Sequence, residues 1–178
     1  MDGVVANAQI SKNSIVIDPQ KLPEQAAKVA QENAKYLKKL KVRKPKKLDA
    51  VMTKLHHETF KKIDCLNCAN CCKTTGPLFL PSDIKRISKR LRMKPTEFEA
   101  TYLRTDEDND KVLQQVPCSS LGADNQCSIY EDRPKACREF PHTDRPKFHQ
   151  ITGITAKNIA VCPAVYEMVA RLKSELPV

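Results

Sequence analysis

Apolar residues recur at helical spacing in several stretches of the chain, and the pattern breaks at proline, glycine or cysteine between them. Pro23 suits a first helical position, and Ala26, Val29, Ala30, Leu37 and Leu40 then fall on one side as far as about Val42, where Pro45 ends the run. Leu48, Val51, Met52, Leu55, Thr59 and Ile63 mark a second helix over residues 48–62 that delivers the chain to Cys65. Ser82 reads as the N-cap of a third, which buries Ile84, Ile87 and Leu91 and turns Lys85, Arg86, Lys89, Arg90 and Arg92 to water. A short helix restarts after Pro95 with Phe98, Tyr102 and Leu103 inward, and a last one runs from Pro163 to about Leu176 along Val165, Val169 and Leu172.

Strand signals are sparse. Residues 111–116 read as a strand that forms a loose hairpin with 127–130 through a turn at 121–125, and Pro134 opens a helical turn that carries Cys137 and Arg138 until Phe140-Pro141 stops it. The acidic run 106–110 reads as a solvated loop. Residues 1–22 are expected to be partly disordered, apart from a short edge strand at 14–17. The expected fold is mainly α with a short irregular β-hairpin. Residues 48–178 form a small metal-organised cysteine-cluster domain, and 1–47 a helical basic N-terminal extension without a cysteine or histidine, dispensable for metal binding.

Cysteine changes the picture most. Four of the eight cysteines, Cys65, Cys68, Cys71 and Cys72, lie within eight residues, and the two-residue spacing lets a tight turn bring sulfurs to one ion at about 2.3 Å. Cys118, Cys127, Cys137 and Cys162 follow, and eight thiolates are enough for two four-thiolate sites. In an extended backbone the consecutive Cys71 and Cys72 leave on opposite sides, so the pair is expected to join two centres. One takes Cys65, Cys68, Cys71 and Cys162, the last placed at the positive end of a helix; the other takes Cys72, Cys118, Cys127 and Cys137. Structural disulfides or buried free thiols are the alternatives. His56 and His57 are read as surface or packing residues, with eight thiols already at hand.

The 178 residues carry a net charge of +10, but Lys35, Lys38, Lys39, Lys41, Arg43, Lys44, Lys46 and Lys47 account for most of it, leaving 20 basic and 17 acidic residues over 48–178. That stretch is too balanced to track phosphates by itself. No segment approaches the roughly 20 apolar residues of a membrane span, and a cysteine-rich chain without a leader is expected in the cytoplasm, where thiols stay reduced. Glycine-rich phosphate loops are absent from the sequence, and no nucleophile–base set can be read in it.

Three blocks carry a resemblance: Cys65-x2-Cys68-x2-Cys71-Cys72, then Pro117-Cys118-x2-Leu121, then the run from Cys127 through Tyr130, Arg133-Pro134 and Cys137-Arg138 to Phe140-Pro141, with Cys162-Pro163 beyond. In these the chain resembles the zinc- or iron-chelating domain family, also called YkgJ-type cysteine cluster proteins, over residues 61–168. Ala69 stands where that family often has glycine. The resemblance implies a cysteine-ligated zinc or iron, or an iron–sulfur cluster, and little about a reaction. Metal binding is therefore the expected function. An iron–sulfur electron carrier is the first alternative, because the cysteine block is similar to that of bacterial ferredoxins. A zinc module on nucleic acid through residues 35–47 is the second, and it lacks interleaved aromatics. No enzyme activity is expected; the enzymatic readings are an iron–sulfur oxidoreductase or an accessory to a methylase, since a flagellin lysine methylase has a similar cysteine block.

Overall fold

The computed structural model describes residues 18–178, so the strand expected at 14–17 lies outside the described residues. The chain is mainly helical. Helices α1 (Leu22–Arg43), α2 (Leu48–Phe60), α8 (Thr152–Asn158) and α9 (Pro163–Glu175) build the larger of two apolar clusters. Leu37 and Leu40 from α1 meet Met52 and Leu55 from α2, and Val165, Met168 and Leu172 from α9, with Phe148 buried between them. Helix α1, expected as part of an extension, thus packs against α8 and α9. Tyr36 fastens it: its buried hydroxyl donates to the carbonyls of Leu172 (3.0 Å) and Leu176 (2.8 Å) at the end of α9, where the Leu172 carbonyl also accepts from the Leu176 N–H. Burial pushes the Tyr36 pKa up to about 12. Ala30, placed on the apolar face by its spacing, is exposed, because alanine is too small to decide which side of a helix faces inward.

The smaller cluster gathers Phe79, Ile84, Ile87, Phe98, Leu103, Leu113 and Ile129. It is built by α5 (Pro81–Arg90), α6 (Pro95–Tyr102), β1 (Leu103–Thr105) and β2 (Lys111–Leu113). The antiparallel pair runs in register Leu103↔Leu113 and Thr105↔Lys111 around the acidic run. The β-hairpin therefore sits earlier than expected. Asp106 makes the turn, its Oδ1 accepting from the N–H groups of Asp108 (3.0 Å) and Asp110 (2.9 Å), whereas 118–127 closes through the single bridge Leu121↔Cys127. Helix α5 begins at Pro81 rather than after Ser82, with Leu80 as its N-cap and Asp83 accepting from the Leu80 N–H at 3.1 Å. Leu91, expected inside, is 38% exposed.

Helix α8 has no counterpart in the sequence reading. Phe148, Ile151, Thr155 and Ile159 do recur at helical spacing and are buried, but threonine and Gly153 dilute the signal. Two short helical turns, α3 (Cys65–Cys68) and α4 (Asn70–Thr74), carry the dense cysteine block. The turn α7 (Lys135–Glu139) carries Cys137.

Candidate metal centre

Asp64 opens the cysteine block by accepting from the Leu66 N–H at 2.8 Å, and Ala69 closes α3 in the left-handed region (φ 47°) with its N–H on the Cys65 carbonyl at 2.8 Å. Glycine would adopt that conformation without strain. The Ala69 methyl is buried, and its burial, about 0.8 kcal/mol for one methyl group, offsets much of the left-handed cost of about 1–2 kcal/mol. The chain then re-enters a helix. Cys71 and Cys72 are therefore consecutive positions on a helical turn, about 100° apart, and not the opposed side chains of an extended strand.

The two thiols interact with each other, and each has further cysteines near it. Cys65, Cys68, Cys71 and Cys162 line one cavity of about 30 Å³, walled by Phe60, Ile63, Phe140 and Val161. Burial pushes the Cys162 thiol up to about 11, opposed by the N–H groups of Val165 and Ala164 at the start of α9, and raised further by Cys65 and Cys68. Asn70 Nδ2 donates to the Val161 carbonyl at 2.7 Å and so ties α4 to the approach of Cys162.

The second group assembles around Cys72, whose carbonyl accepts from the Cys118 N–H at 2.8 Å. Burial pushes the Cys137 thiol up to about 12, with Cys72, Cys118 and Cys127 raising it further and Arg133 opposing them. Cys118 is likewise raised by burial, with Cys72 and Cys127 beside it, and Cys127 by burial with Cys72 beside it. The Ser120 N–H is hydrogen-bonded to Cys118 and the Ile129 N–H to Cys127, the kind of donor that stabilises a metal-bound thiolate. Between the groups, a hydrogen bond from the Cys71 thiol to Cys72 raises the first and lowers the second, and Lys73 favours the Cys72 thiolate as well. Cys72 also acts on Cys65, which is raised first by burial and then by Cys68, Asp64 and Cys72.

All eight cysteines are free. Among the described residues no three Cys, His, Asp or Glu side chains close into a tight ligand set. The donors suit zinc or iron on two counts: four sulfurs border one cavity, and backbone N–H groups already face Cys162, Cys118 and Cys127.

A carboxylate that the sequence reading overlooked holds the loop between Cys127 and Cys137. Asp83 is 1% exposed and accepts from Arg86 Nη2 (2.7 Å), the Leu80 N–H (3.1 Å) and the Lys135 N–H (3.2 Å). Arg86, expected to face water, instead donates to the carbonyls of Asp132 (3.1 Å) and Arg133 (2.9 Å). Arg138 adds a bond to the Arg133 carbonyl at 2.6 Å, and Arg133 lies 3.7 Å over the Tyr130 ring while donating to the Tyr130 carbonyl at 2.6 Å. An acid three residues before an arginine on a helix was the available signal.

Burial alone would raise the Asp83 pKa, but Arg86 and the two N–H groups overcome it and hold the carboxyl below its ordinary value. A depressed carboxyl contributes stability that is full above the unfolded pKa and is lost as pH falls through the folded one. Asp83→Asn is expected to cost about 2–3 kcal/mol at neutral pH and to flatten the acid limb of the stability curve. Denaturant melts at pH 7 and pH 3 check this, and equal losses at both would refute it.

The histidines stay apart from the sulfurs. His56 Nδ1 meets Thr143 Oγ1 at 2.8 Å, burial lowers its pKa, and His57 is exposed. A larger polar cleft of about 380 Å³ between Lys135, Glu139, His142, Asp144 and Arg145 contains no cysteine, and its charges nearly balance.

A small, mainly helical fold with eight free cysteines between residues 65 and 162 is the setting of a cysteine-rich metal-binding domain. The chain belongs to the family described as the Putative zinc- or iron-chelating domain (CxxCxxCC), whose model matches residues 64–162. No curated protein and no solved structure matches it. No helix among the described residues is long and apolar enough to cross a membrane.

Proposed function

We propose that the chain holds two neighbouring ions of zinc or iron, one on Cys65, Cys68, Cys71 and Cys162 and the other on Cys72, Cys118, Cys127 and Cys137. Its role is that of a structural or carrier metal protein. What supports this reading is that Cys65, Cys68, Cys71 and Cys162 line one cavity, while the cysteines that act on Cys137 are Cys72, Cys118 and Cys127. Eight free thiols suit a reducing compartment such as the cytosol. The ligands all fall within residues 48–178, and 1–47 contributes none.

Four thiolates in each set complete the tetrahedral shell of one ion without a bridging sulfide. Bound to four thiolates, either metal leaves a net negative centre, which Lys73 beside Cys72 and Arg138 beside Cys137 are placed to offset. Purification without oxygen, followed by metal and acid-labile sulfide analysis, tests the proposal. The expected result is two ions of zinc or iron per chain and no sulfide. Brown protein with sulfide equal to its iron would overturn it in favour of an electron-transfer cluster.

A further inference from the structure

Elsewhere on the surface, cations are commonly paired: Lys28 with Glu24, Lys54 with Glu175, Lys111 with Glu99, Lys135 with Glu139 and Lys173 with Glu32. The eight cations of residues 35–47 are different. All are exposed, no acid lies among them, and among the described residues the contact recorded for them is that of Lys39 Nζ with the Val178 carbonyl at 3.0 Å. The fold enlarges this patch. Asp49, in the first turn of α2, accepts from the N–H groups of Lys147 (2.7 Å) and Phe148 (3.0 Å), which seats the exposed Arg145-Pro146-Lys147 segment beside Lys46 and Lys47, with the carboxylates of Asp49 and Asp144 at its edge. Two basic segments about 100 residues apart in sequence thus form one surface.

We infer that this surface docks on the phosphate backbone of duplex nucleic acid without regard to sequence. Three observations select that partner. Seven of the eight cations in 35–47 are lysines, a residue depleted from protein–protein interfaces but suited to non-specific phosphate contact. The apolar face of α1 is spent on the core, and Val42, 72% exposed, is the one large apolar side chain left outside on the helix, so it has no stripe to insert into a lipid surface. Tyr36, the aromatic residue within the basic stretch, is buried, so no ring is presented on which unpaired bases could stack. What remains is charge alone, spread over a helix end and an adjoining loop, and a duplex offers a matching array of fixed phosphates.

Binding of the full, metal-loaded chain to a short fluorescent duplex of mixed sequence, followed between about 50 and 200 mM salt, tests this. Each phosphate neutralised contributes about −0.9 to the slope of log affinity against log salt. Lys38→Glu, Lys41→Glu and Lys46→Glu together are expected to weaken binding at least about thirtyfold and to reduce the slope by roughly 2 to 3. Lys85→Glu, Lys89→Glu and Lys94→Glu, an equal charge change on α5 and just before α6, should stay within about threefold of the parent chain. Arg145→Glu with Lys147→Glu should also weaken binding, as the composite patch requires. Equal losses in the two triple variants, unchanged affinity on reversing Arg145 and Lys147, or tighter capture by phosphatidylserine vesicles than by duplex would each overturn the proposal. Metal content, measured on the same samples, reports separately on the sulfur centres.

Discussion

Cys137→Ala is expected to keep one metal ion of two and to melt far below the parent chain, and Cys162→Ala to keep the other ion with a comparable loss. An ion bound only by the folded chain adds its binding free energy to folding, on the order of 10 kcal/mol for a structural thiolate zinc near neutral pH. The whole stability of a domain this size is about 5–15 kcal/mol. Losing one ion therefore removes a share comparable to the total, and partial unfolding is the natural outcome. Cys137 sits with Cys72, Cys118 and Cys127, and Cys162 with Cys65 and Cys68, so the two variants should be complementary in what they retain. Metal analysis with thermal melts decides the matter. Two ions retained in either variant would remove that cysteine from the ligand set, and loss of both from each would replace two independent centres with one joint centre.

A chain that starts at Leu48 is expected to be insoluble, or to fold without a fixed core. Helix α1 buries Leu22, Ala26, Tyr36, Leu37 and Leu40, and their apolar surface corresponds to stabilisation on the order of 10 kcal/mol, an upper figure because an unfolded chain is itself partly collapsed. Its removal exposes Phe148 and Leu172 and leaves the end of α9 without the Tyr36 hydroxyl. Metal content should fall too, since α9 begins at Cys162. A shortened chain with two ions and the parent melting temperature would show that α1 is accessory to the core.

The long helices were legible in the sequence because their apolar positions repeat over several turns: α1, α2 and α9 start within a residue or so of the places that Pro23, Leu48 and Pro163 mark. The eight cysteines were legible as a set because thiols at two-residue spacing have few other uses. Distances between remote residues were not legible. Nothing local to Tyr36 says that its hydroxyl meets the far end of α9, and nothing local to Arg86 says that it turns from water to hold the loop before Cys137. The hairpin was displaced because Asp106 caps its own loop with side-chain bonds, a turn chemistry that a run of acids conceals. Cys71 and Cys72 show a further limit. The extended backbone expected for them is a helical turn instead, on which consecutive side chains leave about 100° apart.

That turn lies between the two apolar clusters, one containing Cys162 and the other packed against Cys118 and Cys127. Neither cluster alone has the size that usually sustains a folded domain. The joint between them is flanked by the exposed Lys61, Lys62 and Lys73, side chains at which trypsin-like proteases cut. On the two-ion reading proposed above, bound metal would hold this joint closed and shield those lysines, so that removal of the metal would turn the joint into the first place where the chain is digested.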